Sequence, residues 1–150
     1  MTQNMKTDTK LKSKTLVHQS NFSVRFSETD PLGIVWHGNY ITYFEDGREA
    51  FGKNYGISYL DIQKSGYVTP IVKTVCEHKH SLRYGDQCRI ETTFVDTAAA
   101  KIIYKFKIFN QDDVLACTGE SVQVFLDQNG ELMLNFPPFF EDWKRKMNLL

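Results

Sequence analysis

The chain is 150 residues long and carries 18 basic and 18 acidic side chains, so its formal net charge at pH 7 is zero. This balance provides neither a basic field for nucleic acid nor an acidic excess for basic partners. A chain of this length fits one domain whose core needs no disulfide framework, and its three cysteines fit a reducing compartment. Apolar runs stay well below the roughly 18 residues of a membrane span, so we expect a cytoplasmic protein.

Residues 1–14 are polar and rich in lysine, and we expect them to form a mobile tail. The alternative is a basic arm for nucleic acid or phosphate, but no aromatic residues interleave the lysines. Residues 15–150 are predicted to form a single domain. Its first strand is predicted where Phe22, Val24 and Phe26 alternate with polar residues.

A turn is predicted at residues 30–33, Asp-Pro-Leu-Gly. Pro31 disfavours the helical region for Asp30, and Gly33 can adopt a left-handed conformation. The chain should reverse here and leave the carboxylate of Asp30 at the rim of the turn. The apolar run of residues 34–36, Ile-Val-Trp, is then expected to enter the core.

A long helix is predicted to start near Tyr40, with Asn39 as its N-cap and His37 at its mouth. Gly47 and Gly52 inside the helix indicate a close approach of its backbone to another element, for which a sheet is suited. The face that carries Glu45 is expected to be solvated or functional. The opposite, buried face is predicted from the recurrence of Tyr40, Phe44, Gly47, Phe51 and Tyr55.

A short connecting helix is predicted after the long one. Gly56 is placed to end the long helix, and the residues from Ser58 to Asp61 resemble a capping box. The short helix should end before Gly66.

The rest of the chain reads as long strands joined by hairpins. The first runs from Thr69 to the turn at residues 84–86, and the next two show clear alternation of apolar and polar residues. The last strand covers residues 114–126, with Gly119 as a bulge. Residues 139–150 are predicted to form a terminal helix or a docked tail.

This order of elements indicates an α+β fold in which an antiparallel sheet wraps one long helix. One helix cannot cover the whole face of such a sheet. We therefore expect two chains to assemble with a continuous sheet.

Asp30 and His37 form the best candidate catalytic pair. The turn between them can return both side chains to the mouth of the helix, where unpaired N–H groups and a partial positive charge suit a developing oxyanion. A carboxylate beside an oxyanion site can perform acyl transfer. Spacing alone leaves open a structural role, in which Asp30 is a turn residue and His37 merely precedes a helix.

Other parts of the sequence give weaker signals for chemistry. His78 and His80 lie on one side of a strand, but no third metal ligand is evident nearby, so we predict a surface or interface role and no metal site. The cysteines are expected to be small core residues or inert thiols rather than nucleophiles or metal ligands. Phosphate-binding loops, dinucleotide fingerprints, zinc-protease motifs and serine-hydrolase motifs are absent from the sequence.

The segment from Phe26 to Glu45, FSETDPLGIVWHGNYITYFE, resembles the 4-hydroxybenzoyl-CoA thioesterase family of hotdog-fold acyl-CoA thioesterases. It carries that family's pattern D-x-x-G-I-V-[YW]-[HY]-x-N-Y. A looser similarity extends over about Phe22 to Leu126. The matching positions are Asp30, Gly33, Ile34, Val35, Trp36, His37, Asn39 and Tyr40.

The resemblance implies a hotdog fold, a curved antiparallel sheet around one long central helix, with active sites at a dimer interface. Asp30 would be the nucleophile or the general base, and N–H groups near His37 and Gly38 would polarise the thioester carbonyl. His37 would orient substrate or water, and Glu45 would contact the acyl group. The predicted oxyanion and substrate-binding residues are Gly38, Asn39, Tyr40 and Glu45.

The resulting hypothesis is a cytoplasmic acyl-CoA thioesterase that forms a homodimer or a dimer of dimers. It needs no metal or redox cofactor, since CoA is part of the substrate. The alternative is a non-catalytic module that binds or senses acyl thioesters on the same fold. The chain has His37-Gly38 where the 4-hydroxybenzoyl-CoA enzyme has Tyr-Pro. A general acyl-CoA is therefore the expected substrate.

Overall fold

The structure, a computed structural model, describes residues 15–150, and the predicted tail of residues 1–14 lies outside this range. None of the helices among the described residues is long and apolar enough to cross a membrane. The elements in chain order are β1 (Leu16–Ser23), a 3-10 helix (Phe26–Glu28), α1 (Asn39–Tyr55), α2 (Tyr59–Lys64), β2 (Ile71–His78), β3 (Gln87–Val95), β4 (Lys101–Phe109), β5 (Leu115–Val124) and α3 (Pro138–Lys146).

The five strands form one antiparallel sheet in the order β1-β3-β4-β5-β2. Alternate residues of the two central strands β3 and β4 are buried, as the sequence pattern predicts, because successive side chains point to opposite faces of a sheet. These buried residues are Cys88, Ile90, Thr92, Phe94, Ile102, Tyr104, Phe106 and Ile108.

Helix α1 packs against β1, β3 and β4 through the face predicted from its periodicity. The ring of Phe44 stacks on Phe106 with centroids 4.7 Å apart. A Cβ atom at Gly47 would lie 2.7 Å from Thr92 Oγ1, so this glycine permits the close approach of helix and sheet that was predicted. Gly52 instead faces the chain that leaves the helix, since a Cβ there would lie 2.8 Å from the carbonyl oxygen of Ile57.

Gly119 forms no bulge, and that prediction is wrong. The register of β5 runs without interruption through this residue, which pairs with Cys76 on one side and Phe106 on the other. A Cβ atom at Gly119 would lie 2.2 Å from Cζ of Phe44. Glycine is required at this position because the ring of Phe44, on helix α1, occupies the space of a side chain. The strand itself is regular.

Both predicted signals of the α1–α2 connection are confirmed. Gly56 ends α1 in the left-handed region, with φ of 75°. The backbone N–H of Ser58 donates to Asp61 Oδ2 at 2.9 Å, and the N–H of Asp61 donates to Ser58 Oγ at 3.2 Å. The bond from the Ser58 N–H lowers the pKa of the Asp61 carboxyl, because it favours the charged form.

The predicted burial is wrong at two aromatic residues before α1. Phe26 is 76% exposed because the chain leaves the sheet after Val24 and enters the 3-10 helix, where the period of two no longer applies. Trp36 is 50% exposed, although Val35 beside it is buried. The strand predicted over residues 69–84 is also shorter, since regular pairing covers Ile71–His78.

The terminal helix α3 is present, as one of the two alternatives predicted. Its residues Phe140 and Trp143 are buried. The indole Nε1 of Trp143 donates to the carbonyl oxygen of Tyr55 at 2.7 Å, so α3 is fastened to the end of α1.

Candidate active site

The turn predicted at Asp30 is confirmed. The N–H of Gly33 donates to the carbonyl oxygen of Asp30 at 2.9 Å, and Gly33 has φ of 78°. The N–H of Leu32 donates to Asp30 Oδ1 at 2.8 Å. One carboxylate oxygen is thereby fixed in orientation, while Oδ2 accepts no hydrogen bond from residues 15–150. The turn therefore fixes the carboxylate of Asp30 through Oδ1 and leaves Oδ2 without a hydrogen bond in the described residues.

The start of α1 differs from the prediction, because Asn39 is the first helical residue and Gly38 is the N-cap. Asn39 Nδ2 donates to the carbonyl oxygen of Glu28 at 2.8 Å, and the N–H of Asn39 donates to Trp36 O at 2.9 Å. The amide therefore ties the helix to the preceding 3-10 helix instead of capping it. Since Gly38 has no side chain, α1 begins without a side-chain cap.

This uncapped helix mouth can accept a negatively charged oxygen. The N–H groups of His37 and Gly38 form no hydrogen bond with any group in the described residues. The first turn of α1 contains no acidic side chain, so the partial positive charge of the helix start is not neutralised there. Such N–H groups are the usual donors of an oxyanion site.

Gly38 has a second role at this mouth. A Cβ atom at Gly38 would lie 2.2 Å from Cζ3 of Trp36, so the indole ring rests directly on the glycine. The absence of a side chain at Gly38 is therefore what allows Trp36 to fold over the helix start.

One cavity of about 340 Å³ contains the predicted catalytic pair. Asp30, His37 and Tyr40 all line it, so the structure brings together three of the residues predicted from the sequence. Burial raises the pKa of Tyr40 above that of an ordinary phenol. The remaining walls are formed by Leu32, Ile34, Val35, His78, Lys79, His80 and Ser81.

Glu45 lies away from this cavity. Its side chain is 61% exposed, and its Oε1 is 3.9 Å from Nη2 of Arg48. Within one chain, Glu45 lines a cavity of about 420 Å³ and a smaller one of about 200 Å³, both of which also include Ile71 of β2. The chain alone therefore does not bring Glu45 and Asp30 together.

The sequence did not indicate that His78 and His80 line the Asp30 cavity. The ring of His78 lies 4.8 Å from the ring of Tyr40. The sequence also did not indicate that Cys76, His78 and Cys117 place their ligand atoms within 4.8 Å of one another. Cys76 and Cys117 are 41 residues apart in sequence, and it is the pairing of β2 with β5 that brings them together.

Comparison with known proteins shows the family. The thioesterase-like superfamily matches residues 24–144 of the chain. A Bacillus subtilis protein named "Putative acyl-CoA thioesterase YneP" is 32% identical over 127 residues, which cover 85% of this chain and 92% of that protein. A chloroplastic acyl-acyl carrier protein thioesterase of Arabidopsis thaliana is 30% identical over 113 residues, which cover 73% of this chain and 58% of that protein.

Solved structures agree with this assignment. A DHNA-CoA thioesterase from Staphylococcus aureus superposes with a TM-score of 0.79 and 26% identity, over 88% of this chain and 91% of that chain. A 4-hydroxybenzoyl-CoA thioesterase mutant in complex with 4-hydroxybenzoyl-CoA superposes with a TM-score of 0.74 and 19% identity, over 85% of this chain and 98% of that chain. The resemblance noted in the sequence is confirmed, and the chain belongs to the thioesterase-like superfamily and has its hotdog fold.

Proposed function

We propose that this thioesterase hydrolyses acyl-CoA esters to the free acid and CoA in the cavity that contains Asp30. The proposal is supported by the family match and by the relatives named as acyl-CoA thioesterases. The observation that carries it is the position of the Asp30 carboxylate in one cavity with His37, at the mouth of a helix with unpaired N–H groups.

In the proposed reaction, the thioester carbonyl oxygen accepts hydrogen bonds from the N–H groups near His37 and Gly38. As the tetrahedral intermediate forms, these donors stabilise its negative oxygen. His37 orients the substrate or the water, and Tyr40 and Asn39 support the substrate-binding wall and the helix start. The CoA thiolate then leaves, and no metal or redox cofactor takes part.

Asp30 has two alternative roles in this reaction. As a general base, its carboxylate takes a proton from water, and the resulting hydroxide attacks the carbonyl carbon. As a nucleophile, it forms a mixed anhydride with the acyl group, and water then hydrolyses the anhydride. Either role contributes on the order of 10²-fold or more to the rate.

The active form is proposed to be a homodimer or a dimer of dimers. Strand β2 lies at the edge of the sheet, where Ile71 and Val72 are exposed, and an open edge is suited to pairing with a second copy. Glu45 lies beside this edge, so a second chain there would cover its cavities, and we propose that Glu45 contacts the acyl group in the assembled protein. Sedimentation at micromolar concentration tests the assembly, and a monomer would contradict it.

We also propose that residues 15–150 act as one domain in the cytoplasm. The three cysteines are free thiols, which supports a reducing compartment. Fractionation of cells that express the full chain would test the location, and recovery outside the cytoplasm would contradict it.

The activity is tested by thiol release from a panel of aliphatic and aromatic acyl-CoAs and one acyl carrier protein thioester. We expect wild-type protein to release thiol from at least one CoA ester and Asp30→Asn to release far less. Asp112→Asn is the matched control, because Asp112 is exposed and does not line the Asp30 cavity. Saturable binding of CoA esters without thiol release by the wild type would instead favour a non-catalytic binding module.

The role of Asp30 is tested by single turnover in heavy-oxygen water. The anhydride route can place label in the carboxylate of Asp30, whereas the general-base route places label in the released acid alone. Mass spectrometry of the peptide that contains Asp30 distinguishes the two.

A further inference from the structure

A second cluster of reactive side chains lies beside the Asp30 cavity. Cys76 and His78 are two residues apart on β2, so both side chains project to the same face of the sheet. Cys117 on β5 is paired directly with His78 and projects to that face as well. His78 belongs to both places, since it also lines the Asp30 cavity.

Two of the three distances within the cluster are close to those of a tetrahedral metal site, and all three ligand atoms lie within 4.8 Å of one another. Cys76 Sγ lies 3.5 Å from Cys117 Sγ and 3.7 Å from His78 Nε2. Zinc bonds of about 2.3 Å to sulfur and about 2.0–2.1 Å to nitrogen, at tetrahedral angles, separate two sulfurs by about 3.8 Å and a sulfur and a nitrogen by about 3.6 Å. The two contacts of Cys76 therefore match the spacing that a tetrahedral ion requires.

A disulfide between the two cysteines fits the strand register less well. Cys76 pairs with Gly119 and Cys117 pairs with His78, so the two cysteines are diagonal neighbours. Diagonal neighbours have Cα atoms about 7–8 Å apart, whereas disulfides usually need about 4.4–6.8 Å. His78 and Cys117 are directly opposed, and an imidazole and a thiolate in this position can bind the same metal ion.

We propose that Cys76, His78 and Cys117 form a zinc site with three protein ligands and a fourth position open to water. Two thiolates and an imidazole are ligands that favour zinc over harder cations such as magnesium. Among residues 15–150, these three are the histidine, cysteine or acidic side chains whose ligand atoms lie close enough together to share an ion. This proposal is independent of the proposed hydrolysis, which uses Asp30 and no metal.

Metal binding at this site has a simple chemical balance. Zinc forms two bonds to sulfur and one to nitrogen, and the two cysteine thiols release their protons to solvent. The bound ion would join the neighbouring strands β2 and β5 and hold the imidazole of His78 beside the ring of Tyr40. Occupancy of the site is therefore expected to stabilise this edge of the sheet.

Cobalt titration of the reduced full-length protein tests the site, because tetrahedral thiolate-bound Co²⁺ has a charge-transfer band and visible d–d bands. We expect these bands to saturate at one Co²⁺ per chain and to disappear when Zn²⁺ is added. Cys76→Ser and His78→Gln should weaken or abolish them. His80→Gln is the matched control, since His80 lines the cavity but lies outside the cluster, and it should bind Co²⁺ as the wild type does.

Two results would overturn the proposal. The first is the absence of a charge-transfer band in wild-type protein at saturating Co²⁺. The second is a band of wild-type strength and affinity in Cys76→Ser, because the metal would then be bound elsewhere. Cys76 and His78 are not fully buried, so we expect both variants to fold, and circular dichroism of Cys76→Ser and His78→Gln checks this.

Discussion

The middle and the N-terminal mouth of helix α1 have different surroundings. Its middle is dry and closely packed, with Phe44 stacked on Phe106 and Gly47 pressed against β3. Its mouth lacks a side-chain cap, and His37 and Tyr40 there line the cavity of Asp30. Packing of the middle is worth several kcal/mol of stability, whereas unpaired N–H groups at the mouth are available to a substrate. Changes at the middle should therefore affect stability first, and changes at the mouth should affect turnover first.

The largest effect on stability is expected from Phe44→Ala. The ring is buried and fills the space beside Gly119, so its removal leaves a cavity and should reduce the free energy of unfolding by about 3–5 kcal/mol. Ile41→Ala on the exposed side of the same helix is the control and should cost less than about 1 kcal/mol. Urea denaturation measures both, and equal losses would contradict the difference between the two sides of the helix.

A smaller loss is expected from Gly119→Ala, because the new methyl group would overlap the Phe44 ring. Overpacking of this kind costs about 1–3 kcal/mol. The double variant Gly119→Ala with Phe44→Leu should recover part of the loss, since the smaller side chain leaves room. Additive losses in a double-mutant cycle would show that the two positions are not coupled.

Glu45→Gln should have a modest effect on substrate binding. An exposed charge contact is worth about 0.2–1 kcal/mol, so we expect KM to change by at most about fivefold while kcat is retained. Arg48→Gln alters the nearby partner on the same helix and serves as the control. A large fall in kcat for Glu45→Gln would assign the chemistry to the Glu45 cavities instead.

The smallest effect concerns the acid stability of the α1–α2 connection. Hydrogen bonds from Ser58 lower the pKa of Asp61 in the folded state, so this stabilisation is present above the ordinary pKa of about 3.9 and is lost as pH falls through the lowered value. Asp61→Asn should cost about 0.5 kcal/mol at neutral pH and weaken the dependence on pH below about 4. Denaturation at a series of pH values measures the free energy of unfolding. If it fell equally below pH 4 in Asp61→Asn and in the wild type, the role given to Asp61 would be contradicted.

The middle of α1 and the central strands could be predicted from the sequence because their signals are local. The recurrence of Tyr40, Phe44 and Phe51 indicates the buried face, and the alternation in β3 and β4 indicates their inner sides. Ser58 and Asp61 indicate their cap because both partners lie within one turn of helix. Such periodic and short-range patterns need no knowledge of the tertiary structure.

The features that were missed depend on contacts between distant parts of the chain. Gly119 was read as a bulge because the ring of Phe44 that requires it lies in another element. Asn39 is a residue type that often caps helices, but its side-chain amide donates a hydrogen bond to the carbonyl oxygen of Glu28 instead. The approach of Cys117 to Cys76 depends on the register of β2 against β5, which the sequence pattern does not determine.

At the mouth of α1, residue types and spacing were compatible with either a structural or a catalytic role for Asp30. The resemblance to the family motif then indicated a catalytic role. The structure adds the shared cavity and the uncapped helix. The roles of Asp30 and His37 remain predictions that kinetics must test.

The most direct test is the turnover of Asp30→Asn with the best acyl-CoA substrate, measured on the preparation used for denaturation. The substitution keeps the shape of the side chain, and the turn accepts an amide oxygen in place of Oδ1. We predict a fall in kcat on the order of 10²-fold or more, with the free energy of unfolding changed by less than about 1 kcal/mol. Turnover within a few-fold of the wild type in a folded Asp30→Asn protein would contradict the assignment of the chemistry to Asp30.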